Sequence, residues 1–221
     1  VIKVEIPKSL QQKLDEGRQY RKVAQIEVRA ASDEGMIVEG YATTFGEPYE
    51  LFRDGGYIFL EQVAPDAFNE ADMSDVIMQY DHEGRVFARR SNGTLELNVD
   101  EHGLAIRADL SGTEIGRQLY EEIRGGYTDK MSFGFTVAED ERLITEDREA
   151  NTTTILRTIR RIGKLYDVSA VSIPANNATE ISARGWGDGV IASLTEERRK
   201  REERERQKQK IRILLDLQKG V

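Results

Sequence analysis

Apolar and polar positions alternate with period two along most of this chain, and the period lengthens to a helical one at only a few places. Residues 22–30 and 36–45 are alternating or β-branched runs joined by ASDEG at 31–35, a hairpin signal. Further strands are predicted at 76–82 (VIMQYDH), 93–99 (GTLELNV) and 104–110 (LAIRADL), the last two joined by the turn sequence DEHG. Residues 129–137, 156–162 and 165–173 complete a set of seven or eight strands. Ile115, Leu119 and Ile123 recur at helical spacing within 113–124, and Gly125-Gly126 stops that helix. A short helix is also expected at 9–16, after Pro7, and a polar loop at 139–151. Strands so spaced, with few helices, predict a mainly β, α+β fold: a small, mostly antiparallel β-barrel of about seven strands with flanking helices.

The C-terminal end departs from this pattern. Residues 195–210 contain no hydrophobic residue, and Glu196/Lys200, Glu197/Arg201 and Glu202/Arg206 stand at helical spacing. Ser193 with Glu196 forms a capping-box pattern, and Gly220 is a stop signal. The plain expectation is a solvated helix; the apolar end Ile211, Ile213, Leu214, Leu215 and Leu217 offers a surface for docking on the body or on another chain. The expected organisation is thus a domain over 1–192 and a charged helical tail over 193–221. Charge supports the division: the chain carries 40 acidic and 32 basic residues, but 195–221 has ten basic and six acidic, so a body of −12 carries a tail of +4. Five glutamates among the eight basic residues of 195–210 argue against specific nucleic-acid binding.

Composition removes several chemistries. With no cysteine, disulfides, thiolate metal sites and a cysteine nucleophile are excluded, and two histidines make a multi-histidine metal site improbable. No metal and no cofactor is therefore expected. No apolar run approaches the ~20 residues needed to span a bilayer, and no signal-peptide pattern opens the sequence, so a cytoplasmic protein is expected. Motifs of α/β-hydrolases, zincins and P-loop enzymes are missing, and GWGDG at 185–189 lacks a nucleotide-binding context.

Three side chains stand out. In KMSFGFTV, alternation puts Met131, Phe133, Phe135 and Val137 on a core face, with Lys130, Ser132, Gly134 and Thr136 opposite. Ser132 beside a glycine offers a hydroxyl where a backbone can approach; an ordinary solvent-facing serine is the alternative. His82 ends VIMQYDH on the face of Met78 and Tyr80, either as a general base or as a core histidine. Asp167 in LYDVSAVSI needs a partner if buried, either an imidazole or one of Arg160, Arg161 and Lys164. His102 lies in the DEHG turn and is expected to be exposed, and Lys130 is too far along the strand from Ser132 for direct proton transfer.

The ordered blocks GYATTFG (40–46), EQVAPDAF (61–68), VIMQYDH (76–82), GTLELNVDEHGL (93–104), RGGYTDKMSFGF (124–135) and LYDVSAVSIPAN (165–176) resemble the prohead, or capsid-maturation, serine proteases of tailed phages. The resemblance spans about 26–183 and implies a fold similar to the herpesvirus assemblin proteases. It places the nucleophile on Ser132, the base on His82 and the acidic member on Asp167. The family context there is L-x-E-V-S, so aspartate stands where glutamate is expected, and its shorter arm should weaken or lengthen the bond to His82. Asp66 replaces a frequent glycine, with no catalytic meaning attached. By analogy, oxyanion donors fall in the PANN segment, at Ala175 and Asn176. The implied substrates are scaffold segments of the major capsid protein and the protease itself, inside the procapsid in the bacterial cytoplasm, with self-association possible. The rival reading is a non-catalytic scaffold or capsid-interior assembly protein.

Overall fold

The computed structural model describes residues 12–13, 16–27, 29–32, 35–171 and 177–219. Within these, eleven strands and two α-helices form an α+β fold, divided into two compact units at Ala183/Arg184. One sheet runs β2 (Arg29–Ser32), β3 (Ile37–Thr44), β9 (Gly103–Asp109), β8 (Leu95–Val99), all antiparallel. The other runs β1 (Gln19–Glu27), β10 (Lys130–Asp147), β11 (Thr152–Val171), β5 (Tyr57–Val63), β4 (Tyr49–Asp54), with β6 (Ile77–Tyr80) and β7 (Glu83–Arg89) attached through β11. β11 is 20 residues long, so its second edge holds two parallel partners end to end: β5 along 153–159 and β6 along 167–170.

The expected closed barrel is not what forms. Neither sheet closes on itself; β1 and β4 are open ends of one, β2 and β8 of the other. Burial is achieved instead by two inner faces contributing to one core. Val38, Ala42, Leu104, Ile106 and Ala108 come from one sheet, and Met78, Met131, Phe133, Phe135, Val168 and Ala170 from the other. Helix α1 (Glu114–Arg124) adds Leu119, Tyr120 and Ile123. Its start follows the sequence closely: the Thr113 hydroxyl accepts from the Gly116 N–H at 3.0 Å, satisfying one of the orphan donors of the first turn.

Other elements differ from expectation. Residues 139–147 are not a loop; they extend β10 and pair with β11 as an exposed ribbon, tied by Arg161 to Glu139 and Arg160 to Glu141. The separate strands expected at 156–162 and 165–173 are one strand as far as Val171. β4, β5 and β7 are additions to the expected set of strands. Of the helix expected at 9–16, residues 12 and 13 are helical and 16 is in a turn, while the rest lies outside the described residues.

Helix α2 (Asn177–Lys219) begins well before Ser193, which is therefore an interior helical residue, not a cap. It runs through the glycines at 185, 187 and 189. Residues 199–212 are exposed, as a charged surface with no apolar stripe requires, with Arg199 and Lys200 both paired to Glu196. Ile211 is exposed; the side chains of Ile213, Leu214, Leu215 and Leu217, and Gly220, lie outside the described residues. Among the described residues no helix is long and apolar enough to cross a membrane.

Candidate active site

Alternation along β10 does what its sequence demands: Met131, Phe133 and Phe135 enter the core, and Ser132 and Gly134 take the opposite face. On the neighbouring strand, Ser169 stands opposite Ser132 and Asp167 opposite Gly134. Ser132 and Asp167 are thus diagonal neighbours on one face, their spacing set by ladder hydrogen bonds.

Gly134 is what allows the carboxylate in. A Cβ built there would lie 2.2 Å from Asp167 Oδ2 and 3.0 Å from Tyr20 Cε1, so only glycine fits. The space expected to admit a substrate backbone is taken by the protein's own acid.

His82 does not continue the strand face of Met78 and Tyr80. β6 ends at Tyr80, and Asp81 and His82 both adopt left-handed backbone conformations, with φ of 47° and 62°. Such conformations cost non-glycine residues about 1–2 kcal/mol and persist where surroundings over-determine them. Here the Asp81 N–H donates to the Ala170 carbonyl at 3.0 Å, and Lys13 Nζ donates to the His82 carbonyl at 2.5 Å. The turn swings the imidazole back over the sheet. Its Nδ1 lies 2.5 Å from Asp167 Oδ1 and its Nε2 2.5 Å from Ser132 Oγ. Alcohol, imidazole and carboxylate, 50 and 85 residues apart along the chain, form one continuous hydrogen-bonded row.

Burial alone would push the Asp167 carboxyl up. The His82 ring, the hydrogen bond with it and the one donated by Ser169 Oγ at 2.8 Å outweigh that, and hold it below the ordinary carboxylate value. An ionised Asp167 accepts Nδ1–H, which leaves Nε2 as the acceptor facing the serine. The shorter arm of aspartate does not lengthen the bond to His82, because strand pairing and the missing Gly134 side chain bring the carboxylate close. The alternative partners are committed elsewhere: Arg160 to Glu141, Arg161 to Glu70 and Glu139, Lys164 to Asp72.

Ala175 and Asn176 lie outside the described residues. Lys130 pairs with Asp129 at 3.0 Å, and His102 is exposed, its ring edge-on to Tyr41. Three participants were missed by reading the sequence. Ser169 was legible, since it follows Asp167 by two residues on the same strand face. Lys13 and Tyr20, whose ring centroid lies 4.5 Å from that of His82, carry no local signal.

An alcohol, an imidazole and a carboxylate in one hydrogen-bonded row is an arrangement that can activate the alcohol for attack on a carbonyl. No curated protein and no solved structure matches the chain significantly. The sequence model of caudovirus prohead serine proteases matches residues 24–187, a stretch that includes Ser132, His82 and Asp167. The chain therefore belongs to the caudovirus prohead serine protease family and is a serine endopeptidase of capsid maturation.

Proposed function

We propose that Ser132 is the nucleophile, His82 the general base and acid, and Asp167 the group that orients and stabilises the imidazole. The observation that carries this reading is the row Asp167 Oδ1, His82 Nδ1 and Nε2, Ser132 Oγ, with both contacts at 2.5 Å. Ser132 Oγ attacks the scissile carbonyl carbon while Nε2 takes its proton; the imidazolium formed is held by the Asp167 carboxylate. Nε2–H then protonates the leaving amine, and water, activated by the same nitrogen, hydrolyses the acyl-enzyme. Backbone N–H groups at Ala175 and Asn176 are assigned to the oxyanion, a role in which each donor contributes about 2.7–4 kcal/mol.

The substrates we assign are scaffold segments of the major capsid protein, and the protease itself, inside the procapsid. Residues 1–192 are the protease domain on this reading, and 193–221 a tether to capsid or scaffold subunits. Mass spectrometry of the capsid protein co-expressed with the wild type and with Ser132→Ala tests the chemistry. Wild type should yield a defined truncation, and the variant none. Persistent cleavage with Ser132→Ala would refute the assignment; no cleavage by the wild type would favour a non-catalytic assembly role. Deleting 195–221 should spare cleavage of the soluble capsid protein and abolish packaging into proheads, and unchanged packaging would refute the tether.

A further inference from the structure

The catalytic row is shut away from solvent by the chain's own N-terminal strand. Ser132, His82 and Asp167 are 1%, 0% and 2% exposed. β1 pairs antiparallel with β10 from Gln19↔Phe135 to Val23↔Met131, so the Arg21 and Lys22 backbone runs beside the nucleophile. Tyr20 lies over the imidazole, and Lys13 holds the carbonyl of His82. The other edge of β10 belongs to β11, which carries the acid. The edge under β1 is therefore the one along which an extended peptide can reach Ser132 as an added strand.

The contact also interferes chemically. Ser132 has one hydroxyl proton and two acceptors within reach, His82 Nε2 at 2.5 Å and the Arg21 carbonyl oxygen at 2.9 Å. A proton donated to Arg21 is not available to the imidazole. The same carbonyl fills the space, roughly 3–3.5 Å from Oγ, that a scissile carbonyl must occupy.

Resting on the assignment of Ser132 as nucleophile, we propose that β1 is a displaceable cover on the substrate edge of β10. An extended polypeptide segment replaces it, antiparallel to β10 and in the register β1 now holds. The cover is an edge strand, so its departure breaks a single ladder. It takes away Arg21, whose buried guanidinium is paired with Glu61 at 2.5 Å. Glu61 is nevertheless left with Arg157 Nη1 at 3.0 Å and the Tyr49 hydroxyl at 2.7 Å, so no buried carboxylate is abandoned.

The test is the rate at which a fluorophosphonate labels Ser132 in the full chain, located by peptide mass spectrometry. Because the labelling rate scales with the uncovered fraction, Tyr20→Ala should label about tenfold faster than wild type. The chain has no cysteine, so Val23→Cys with Met131→Cys, neighbours in register, gives one unambiguous cross-link. The oxidised pair should label at least about tenfold more slowly than the reduced pair, and reductant should restore the rate. This comparison is made within one protein, so both forms carry the same substitutions. Equal rates for oxidised and reduced forms would overturn the cover while leaving the Ser132 assignment standing. Absence of label at Ser132 in every form, the reduced pair and Tyr20→Ala included, would overturn the nucleophile assignment and the cover with it.

Discussion

Gly134→Ala is the smallest change that tests whether Asp167 works through its position. The added Cβ would meet Asp167 Oδ2 at 2.2 Å, whereas real Cβ atoms keep neighbours beyond 3.0 Å, so the oxygen must retreat by about 0.8 Å. The carboxylate has little freedom to do so. Its other oxygen is held by His82 at 2.5 Å and Ser169 at 2.8 Å, and the Tyr20 ring closes the remaining side at 3.0 Å from the new methyl. Pivoting the carboxylate therefore drags or breaks the bond to Nδ1, and the imidazole loses its fixed tautomer and aim. A misplacement near 1 Å in a reacting group costs on the order of 100-fold in rate, or about 2.7 kcal/mol. The assay is the time course of capsid-protein cleavage by purified enzyme, alongside a thermal melt and with Ser169→Ala for comparison. Gly134→Ala should slow cleavage roughly 100-fold while still folding. Ser169→Ala, which removes one hydrogen bond and adds no bulk, should cost about tenfold or less. A Gly134→Ala rate within threefold of wild type would refute the argument that glycine is needed for the approach of the acid.

Three further outcomes follow from the geometry. Glu61→Gln removes the charge shared by Arg21 and Arg157 in the interior; chemical denaturation should show a loss of about 3–5 kcal/mol, since a buried pair is being broken from one side. Thr113→Ala removes the cap of α1 and should cost about 1 kcal/mol by the same measurement, with capsid cleavage unchanged. For Glu61, burial raises the carboxyl and the Arg21 and Arg157 charges lower it further than that; for Asp167, burial is likewise outweighed by His82; both end below their ordinary values. The stability they contribute is then fully present above the carboxylate range and drains away as pH falls through the lowered values. Urea midpoints should be flat from pH 7 to about 5 and drop below about pH 4; a loss already complete at pH 5 would contradict the sign.

What could be read from the amino-acid order was whatever is encoded by neighbours. α1 was legible because Thr113, the 115/119/123 stripe and Gly125 all speak for it within a dozen residues. The strands on either side of the 100–103 turn were legible for the same reason. The extension of β10 was not, because the only apolar residues of 139–147, Leu143 and Ile144, are adjacent and exposed, so there is no alternation to read; cross-strand ion pairs and the threonines of 152–154 support it. The Asp54-Gly55-Gly56 turn between β4 and β5 was a missed signal, its glycines sitting at φ of 52° and 87°. In α2, three glycines between 185 and 189 suggest a break, but each costs a helix only about 1 kcal/mol, and the helix continues through them. At the site, Ser132 and Asp167 follow from strand alternation together with the family resemblance. The meeting of His82 with Ser132 and the covering of the site by β1 join residues 50 to 111 positions apart, which no local pattern encodes.

The left-handed turn at Asp81–His82 also separates two kinds of attachment among the three proposed catalytic residues. Ser132 and Asp167 are welded to one another by adjacent rungs of a single hairpin and keep their separation in any conformation that preserves the sheet. His82 is carried separately, on the two-residue turn that joins β6 to β7. A change that leaves the hairpin intact therefore alters the geometry of the row through its side chains or through the turn that carries His82, and not through the spacing of the two strands.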